Sequence, residues 1–181
     1  MTKITKRTGI RIYRMKDAPE LKGSDFVDDL EYANSELREV FSLLSGASAS
    51  LSRVLVRQSP DEGGFSVLYL FFKANYPLLR HRHGSDCLYV IVSGSAVMGR
   101  QTLNVGDSFF VPANAPYSYT AGPEGVEVLE IRHDVESVTT SYIGDPPGRL
   151  EQVQEAVRTN TAAWNDVETG PLLQANSAAS S

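Results

Sequence analysis

Two histidines at a two-residue spacing are the residues of this chain with the clearest capacity for chemistry. His81 and His83 lie on either side of Arg82, in a stretch that we interpret as a β-strand. Side chains two residues apart on a strand point to the same face, so both imidazoles project in one direction. Neighbouring imidazoles are good ligands for Fe, Mn, Zn, Ni or Cu. The alternative is two independent histidines, one capping a turn and one half-buried.

Short runs rich in β-branched and aromatic residues surround this pair, from Leu51 to Arg132. Glycines and prolines separate these runs at close spacing: Gly84, Gly94, Gly106, Pro112, Pro116, Gly122 and Pro123. Many short strands joined by closely spaced turns are typical of an antiparallel sandwich or barrel. We therefore predict one β-domain over residues 51–134.

Residues 1–50 are predicted to form an N-terminal arm that ends in a helix. Apolar residues recur there at three- and four-residue steps: Phe26, Leu30, Leu37, Val40, Phe41 and Leu44. This spacing is typical of an amphipathic helix. Ser24 or Asp25 is the candidate N-cap, and Gly46 is the expected end.

Residues 135–181 are predicted to form a C-terminal arm, because the strand signal stops at about residue 134. Leu150 to Trp164 places apolar residues along one side of a helix. The small and polar end, Ala175 to Ser181, is expected to be disordered.

Composition excludes several classes of function for this 181-residue chain. The formal net charge is −5 and the isoelectric point is near 5.2, which argues against nucleic acid as the main partner. No apolar run is long enough to cross a membrane, and Met1 to Arg7 lacks the apolar run of a secretory signal, so we expect a cytoplasmic protein without membrane contact. Cys87 is the single cysteine, so no internal disulfide is possible.

The residues around the histidine pair resemble the cupin superfamily. Leu78 to Gly94 is similar to its first motif: two histidines, a spacer, an apolar strand and a glycine. Gly106 to Tyr117 is similar to its second: Gly-Asp, an apolar strand, a proline, a turn and a ligand position. The resemblance covers about residues 65–132. It implies an all-β fold, a double-stranded β-helix or jelly-roll barrel, here with an N-terminal helix and a C-terminal helical arm.

Two of the four ligand positions of the family carry different residues here. Cys87 stands where the first motif usually has a glutamate, and Tyr117 stands where the second usually has a histidine. His81 and His83 therefore carry over directly as metal ligands, with Tyr117 and Cys87 as altered ones. A thiolate favours Zn or Cu, whereas a phenolate suits Fe(III).

Strand alternation adds further candidates for the barrel interior. If Cys87 points inward, so does Tyr89, and if Tyr117 points inward, so does Tyr119. Glu130 and Arg132 share one face of the last strand, and His133 lies on the other, with the inward face left open. Further interior candidates are Gln101 as a polar pocket residue, Glu130 as a substitute for the missing glutamate, and Phe71, Ile91 and one of Phe109 or Phe110 as apolar walls.

The resemblance predicts a metal-dependent small-molecule enzyme, with a dioxygenase of aromatic or keto-type substrates favoured. The expected cofactor is one divalent transition metal, with Fe ahead of Mn, Ni, Cu or Zn. Tyr89 and Tyr117 are the candidate catalytic residues. One alternative is a lyase, isomerase or cyclase that uses His and Tyr acid–base chemistry, with or without a metal. Another is a non-catalytic ligand-binding or sensor module. We also expect a homodimer, since small barrels often cover an edge strand with a partner.

Overall fold

The computed structural model describes residues 9–21, 27–58, 64–133, 138–144, 146 and 148–178. Within these residues, a short 3-10 helix at Met15–Asp17 precedes nine strands and three α-helices. The strands are β1 (Val27–Tyr32), β2 (Ser50–Arg57), β3 (Phe65–Phe72), β4 (His81–His83), β5 (Cys87–Met98), β6 (Gln101–Asn104), β7 (Ser108–Val111), β8 (Thr120–His133) and β9 (Val138–Tyr142). The helices are α1 (Ser35–Gly46), α2 (Arg149–Asn165) and α3 (Pro171–Ala178). No helix in these ranges is long and apolar enough to span a bilayer.

The strands form two sheets, which confirms the predicted all-β, jelly-roll type of fold. The larger sheet has the order β2–β3–β8–β5–β6, and β7 also pairs with β5. The smaller sheet has the order β1–β9–β4. Strands β3, β5 and β8 place alternate side chains into a hydrophobic core that also includes residues of α1 and α2. The histidines of β4 lie on the smaller sheet, across this interior from β5 and β8.

The flanking segments take part in the smaller sheet, which the sequence did not predict. Val27–Tyr32 is strand β1 and pairs in parallel with β9, so the helix expected from residue 24 or 25 begins only at Ser35. Asn34 caps that helix, because its side chain accepts a hydrogen bond from Leu37 N at 2.9 Å. The proposed caps Ser24 and Asp25 lie outside the described residues.

The expectation that strands stop near residue 134 was also wrong. Strand β9 pairs with β4 on one side and with β1 on the other. The helix predicted over Leu150 to Trp164 is confirmed as α2. Part of the tail expected to be disordered lies in α3, while residues 179–181 are not described.

Two glycines let β5 and β8 approach each other closely at a bulge. Gly94 has φ +67°, and a Cβ there would lie 2.1 Å from Gly125 O. Gly125 itself has φ +79° and lies against the backbone of Phe72. Only glycine fits such contacts, because any side chain would overlap backbone atoms. The glycine at the end of the first motif thus fixes how β5 lies on β8.

The outer face of the larger sheet carries a second, smaller cluster of buried residues. Tyr69, Phe71 and Leu173 form it, with Met15 and Leu172 packed against it. Helix α3 therefore covers the sheet on the side opposite to the main core. Phe71 belongs to this outer cluster, so its predicted position in the barrel wall was wrong.

Candidate active site

Strand β4 holds the two histidines through backbone hydrogen bonds on both sides. His81 and His83 pair with Tyr142 and Thr140 of β9. On the other side, His81 N donates to Tyr117 O at 3.1 Å, and Tyr117 N donates to His81 O at 3.0 Å. This reciprocal pair fixes the backbone of Tyr117 directly beside the first histidine.

The turn before Tyr117 is anchored to the same strand. Asn114 adopts a left-handed conformation, with φ +64°, and its N donates to His83 O at 2.7 Å. Ala113 N donates to the Asp86 carboxylate at 2.7 Å. Asparagine tolerates this conformation better than most residues. The Pro112–Tyr117 segment of the second motif therefore serves to position the phenol over the histidines.

The Tyr117 hydroxyl lies at the centre of a compact cluster of polar side chains. Its oxygen is 2.7 Å from His81 Nε2, 3.2 Å from His83 Nε2 and 2.6 Å from the Tyr89 hydroxyl. Tyr89 comes from β5 in the larger sheet, so the contact between the two phenols bridges the sheets. The two imidazoles and the two phenols thus meet between the two sheets.

Backbone carbonyls determine which imidazole nitrogen carries the proton. His81 Nδ1 is 2.8 Å from Leu79 O, and His83 Nδ1 is 3.2 Å from Thr139 O. A carbonyl oxygen only accepts, so each Nδ1 carries the hydrogen and donates it. Both Nε2 atoms then present a lone pair toward Tyr117.

Glu130 and Arg132 of β8 complete the cluster from the larger sheet. Both side chains are buried, while His133 is exposed. The face of β8 that carries Glu130 and Arg132 therefore points into the interior. Arg132 donates to the Glu130 carboxylate, and its Nη2 lies 3.3 Å from His83 Nε2. A guanidinium only donates, so the His83 lone pair accepts from Arg132.

Burial keeps every member of the cluster other than the Glu130–Arg132 pair in its neutral form near pH 7. It lowers the pKa of His81 to about 3, with an added effect from His83. It also lowers the pKa of His83 to about 3, and the positive charge of Arg132 adds to this. The pKa values of Tyr89 and Tyr117 are raised well above 10 by burial and by the Glu130 charge. The imidazoles are therefore neutral and the phenols are protonated in the resting site.

Tyr117 is the most exposed member of the cluster. His81 and His83 are each only 5% exposed and Tyr89 only 1%, whereas Tyr117 is half-buried. Phe109, also half-buried, stacks on Tyr89 with ring centroids 4.6 Å apart. Phe110 is exposed, so Phe109 is the member of that pair that faces the interior. Tyr117 and Phe109 are therefore more exposed than the two histidines.

Cys87 is buried beside the cluster, on β5 opposite Arg132 of β8. Its Sγ is 3.5 Å from Ser85 O, and burial raises the pKa of the thiol. Among the described residues, no three His, Cys, Asp or Glu side chains are grouped so that they could hold a metal ion. The assignment of Cys87 as a metal ligand beside His81 and His83 stays a prediction.

Other expected interior residues separate into two groups. Tyr119 and Ile91 are buried in the main core, as strand alternation predicted. Gln101 is exposed at the start of β6, so its predicted pocket position was wrong. Thr139 was missed, although the β-branched run from Val138 to Thr140 carried a strand signal.

The donor set, as arranged, does not fit the divalent metal that the cupin resemblance implied. It offers two imidazole nitrogens and a protonated phenol. The lone pairs already accept from Tyr117 and Arg132, and the Glu130 carboxylate is paired with Arg132. A guanidinium 3.3 Å from His83 Nε2 adds a positive charge where a metal needs ligands.

Comparison with solved structures shows which fold this is. The polyketide cyclase RemF from Streptomyces resistomycificus superposes with a TM-score of 0.52 and 17% identity, over 85% of this chain and 99% of that one. A cupin-like protein from Thermotoga maritima gives 0.48 and 16%, over 57% and 84%. KdgF from Halomonas sp. gives 0.42 and 14%, over 49% and 82%. No protein-family model and no curated protein sequence matches the chain. At 17% identity, the likeness to RemF shows the fold alone, which is a jelly-roll β-fold of the cupin type.

Proposed function

We propose that this chain is an enzyme that moves a proton at a carbon atom next to a carbonyl group, as lyases, isomerases and cyclases do. The observation that carries the proposal is the hydrogen-bond chain from Tyr89 through Tyr117 to His81, with contacts of 2.6 and 2.7 Å. It joins a neutral base to two protonated acids within one buried cluster. General acid–base catalysis requires such a pair within hydrogen-bond reach of one substrate.

The cluster can complete an enolisation with its own base and its own acid. A substrate carbonyl oxygen takes the Tyr117 hydroxyl hydrogen bond and thereby frees His81 Nε2. The α-carbon–hydrogen bond breaks, its proton passes to His81 Nε2, and the Tyr117 proton passes to the substrate oxygen. The imidazolium then returns its proton to the Tyr117 phenolate. The product is the enol, and both side chains regain their resting state.

Tyr89 stabilises the transient charge in this cycle. Its hydroxyl lies 2.6 Å from the Tyr117 oxygen. When Tyr117 donates its own proton to His81, the Tyr89 hydroxyl donates to the Tyr117 oxygen. A fixed donor aimed at an oxygen that becomes negative stabilises the transition state more than the ground state. Tyr89 therefore assists as a hydrogen-bond donor, and Tyr117 is the acid that touches the substrate.

The partly exposed rings indicate the class of substrate. Phe109 and Tyr117 present aromatic surface beside the reacting hydroxyl, which suits a small aromatic ketone or a 1,3-dicarbonyl compound. RemF is named as a polyketide cyclase, and enolisation begins many cyclisations of keto compounds. That likeness shows the fold alone, so the cyclase alternative is supported here by the site and not by identity.

A metal-dependent dioxygenase is the second candidate. One feature favours it: both Nδ1 atoms donate to backbone carbonyls, which is how metal-binding histidines are usually oriented. Metal binding requires Tyr117 and Arg132 to give up their hydrogen bonds to the Nε2 atoms of His81 and His83. His81 and His83 would then hold the ion, and a metal of the iron type would supply oxygen chemistry.

Deuterium exchange into aryl ketones and 1,3-dicarbonyl compounds tests the proposal. We expect chelator-treated protein to catalyse α-proton exchange in D₂O, followed by NMR. His81→Ala should lower the rate about 100-fold or more, since general-base catalysis is typically worth that much. His133→Ala, at an exposed histidine of β8, is the matched control and should leave the rate unchanged.

Two results would contradict acid–base function. Stoichiometric Fe, Mn, Ni, Cu or Zn in fresh protein, lost in His81→Ala and required for oxygen consumption, would establish the second candidate. Ligand binding without exchange or turnover of any carbonyl substrate would indicate a non-catalytic binding or sensor module.

A further inference from the structure

Arg132 is a positive charge fixed inside the barrel. Its side chain is only 2% exposed, and it lies on β8 opposite Cys87 of β5. A buried charge needs a partner, and Glu130, two residues earlier on the same face, supplies the carboxylate. The pair is neutral as a whole, but it holds the guanidinium in one place.

The guanidinium faces the histidine pair and not the protein surface. Arg132 Nη2 lies 3.3 Å from His83 Nε2, which must accept because arginine keeps all its protons. This contact uses the lone pair of His83. The Tyr117 proton is therefore directed to His81, at 2.7 Å, so the two imidazoles differ in role although the sequence gives them equivalent positions.

We propose that Arg132, held by Glu130, is the positive centre of this site in the place of a metal ion, and that it excludes divalent cations from the His81–His83 pair. A divalent ion bound to His83 Nε2 would lie next to a fixed cation of the same sign in a poorly solvated interior. It would also find the nearest carboxylate already paired. Arg132 thereby keeps a metal ion away from the His81 lone pair, which stays available for proton transfer.

This inference deepens the proposed function, on which its catalytic consequence rests. Arg132 interacts electrostatically with both Tyr89 and Tyr117, so its charge offsets part of the Glu130 charge, which disfavours a phenolate. The exclusion of cations is a separate property that can be measured without substrate. Its failure would leave the ketone exchange test standing, and the reverse also holds.

Titration with Co²⁺, followed by its visible absorption, tests the exclusion directly. We expect chelator-treated wild-type protein to show no saturable band from the histidine pair. Arg132→Met should bind one Co²⁺ at least 100-fold more tightly than the wild type does. The substitution releases the Glu130 carboxylate, which can then bind the ion together with the two imidazoles of His81 and His83. Arg132→Lys keeps the charge and should not bind.

Two controls isolate the position of the charge. Arg53→Met removes a positive charge at the partly buried Arg53, which pairs with the outward-facing Tyr69, and should not create a binding site. His83→Ala in the Arg132→Met background should abolish the new band.

Circular dichroism checks that each variant is folded. The double variant Arg132→Met/Glu130→Gln replaces the single variant if the unpaired carboxylate prevents folding. That double variant should still bind Co²⁺ at least tenfold more tightly than wild type.

The proposal is overturned by either of two results. One is a wild-type protein that binds one equivalent of Co²⁺ in a manner lost with His81→Ala. The other is a folded variant without Arg132, single or double, that binds Co²⁺ no more tightly than wild type does.

Discussion

Strand β8 carries a buried glutamate on each face, and the two faces use similar residues differently. On the outer face, Tyr69 donates to Glu127, which also accepts from Leu172 N of α3 at 3.0 Å. On the inner face, Glu130 pairs with Arg132 beside the histidines. Both regions combine a carboxylate with phenols at almost full burial.

The difference lies in what the protons can do. The Tyr69 proton has one strong acceptor beneath a helix, so the outer cluster attaches α3 to the sheet. The inner cluster joins Tyr89, Tyr117 and His81 in a chain that ends on a neutral base, and Tyr117 is partly exposed. Residue types and burial alone do not define a catalytic site. The two clusters differ in the acceptors that lie within reach of each phenol proton.

The largest contrast is expected between phenylalanine substitutions on the two faces. Tyr117→Phe should lower α-proton exchange of an aryl ketone about 100- to 1,000-fold, because it removes the acid. Tyr69→Phe should leave that rate unchanged and reduce the free energy of unfolding by about 1–3 kcal/mol, because buried Glu127 loses a donor. Equal rate losses in both variants would show that the faces do not differ as described.

Acid should destabilise the protein through the inner histidines. Their pKa values are about 3 in the folded state and near 6.5 when exposed, so only the unfolded chain takes up these protons as the pH falls from 6.5 toward 3. Stability should fall over this range by up to about 1.4 kcal/mol per pH unit for each imidazole. Urea unfolding at pH 7.0 and 5.0 measures the effect, and His81→Ala/His83→Ala should flatten the slope. An unchanged slope in the double variant would contradict buried neutral imidazoles.

A smaller effect is expected from Gly170, which lies directly over the outer cluster. A Cβ at this position would lie 2.2 Å from Glu127 Oε1 and 2.6 Å from the Tyr69 hydroxyl. Gly170→Ala should therefore cost about 1–3 kcal/mol of stability and loosen α3. Hydrogen exchange should show faster exchange confined to α3 and its contacts, with ketone exchange unchanged. Loss of activity with intact α3 protection would mean that the outer cluster serves the reaction.

Strand alternation and motif spacing were enough to predict the centre of the site. They place His81 and His83 on one face, Tyr89 with Cys87, and Tyr117 with Tyr119, and the structure brings the two histidines together with Tyr89 and Tyr117. The shared faces need only local strand geometry, whereas the place of Tyr117 beside the histidines follows from the resemblance to the second cupin motif.

Long-range pairing hid the remaining features. Strands β1 and β9 are more than 100 residues apart in the chain, and no local pattern shows that they pair. The inward face of Glu130 and Arg132 depends on the register between β8 and β5. Phe71 was assigned to the wall because β3 is apolar on both faces, one of which α3 covers. The homodimer stays a prediction.

The neutral hydrogen-bond chain is tested most directly by ¹⁵N NMR of the histidine rings. At pH 5.5 and at pH 7.5, His81 and His83 should both show a protonated Nδ1 and an unprotonated Nε2. In the protein unfolded by urea, the same imidazoles should titrate between these two pH values. Shifts of an imidazolium at pH 5.5, or of a protonated Nε2 at either pH, would contradict the site described here.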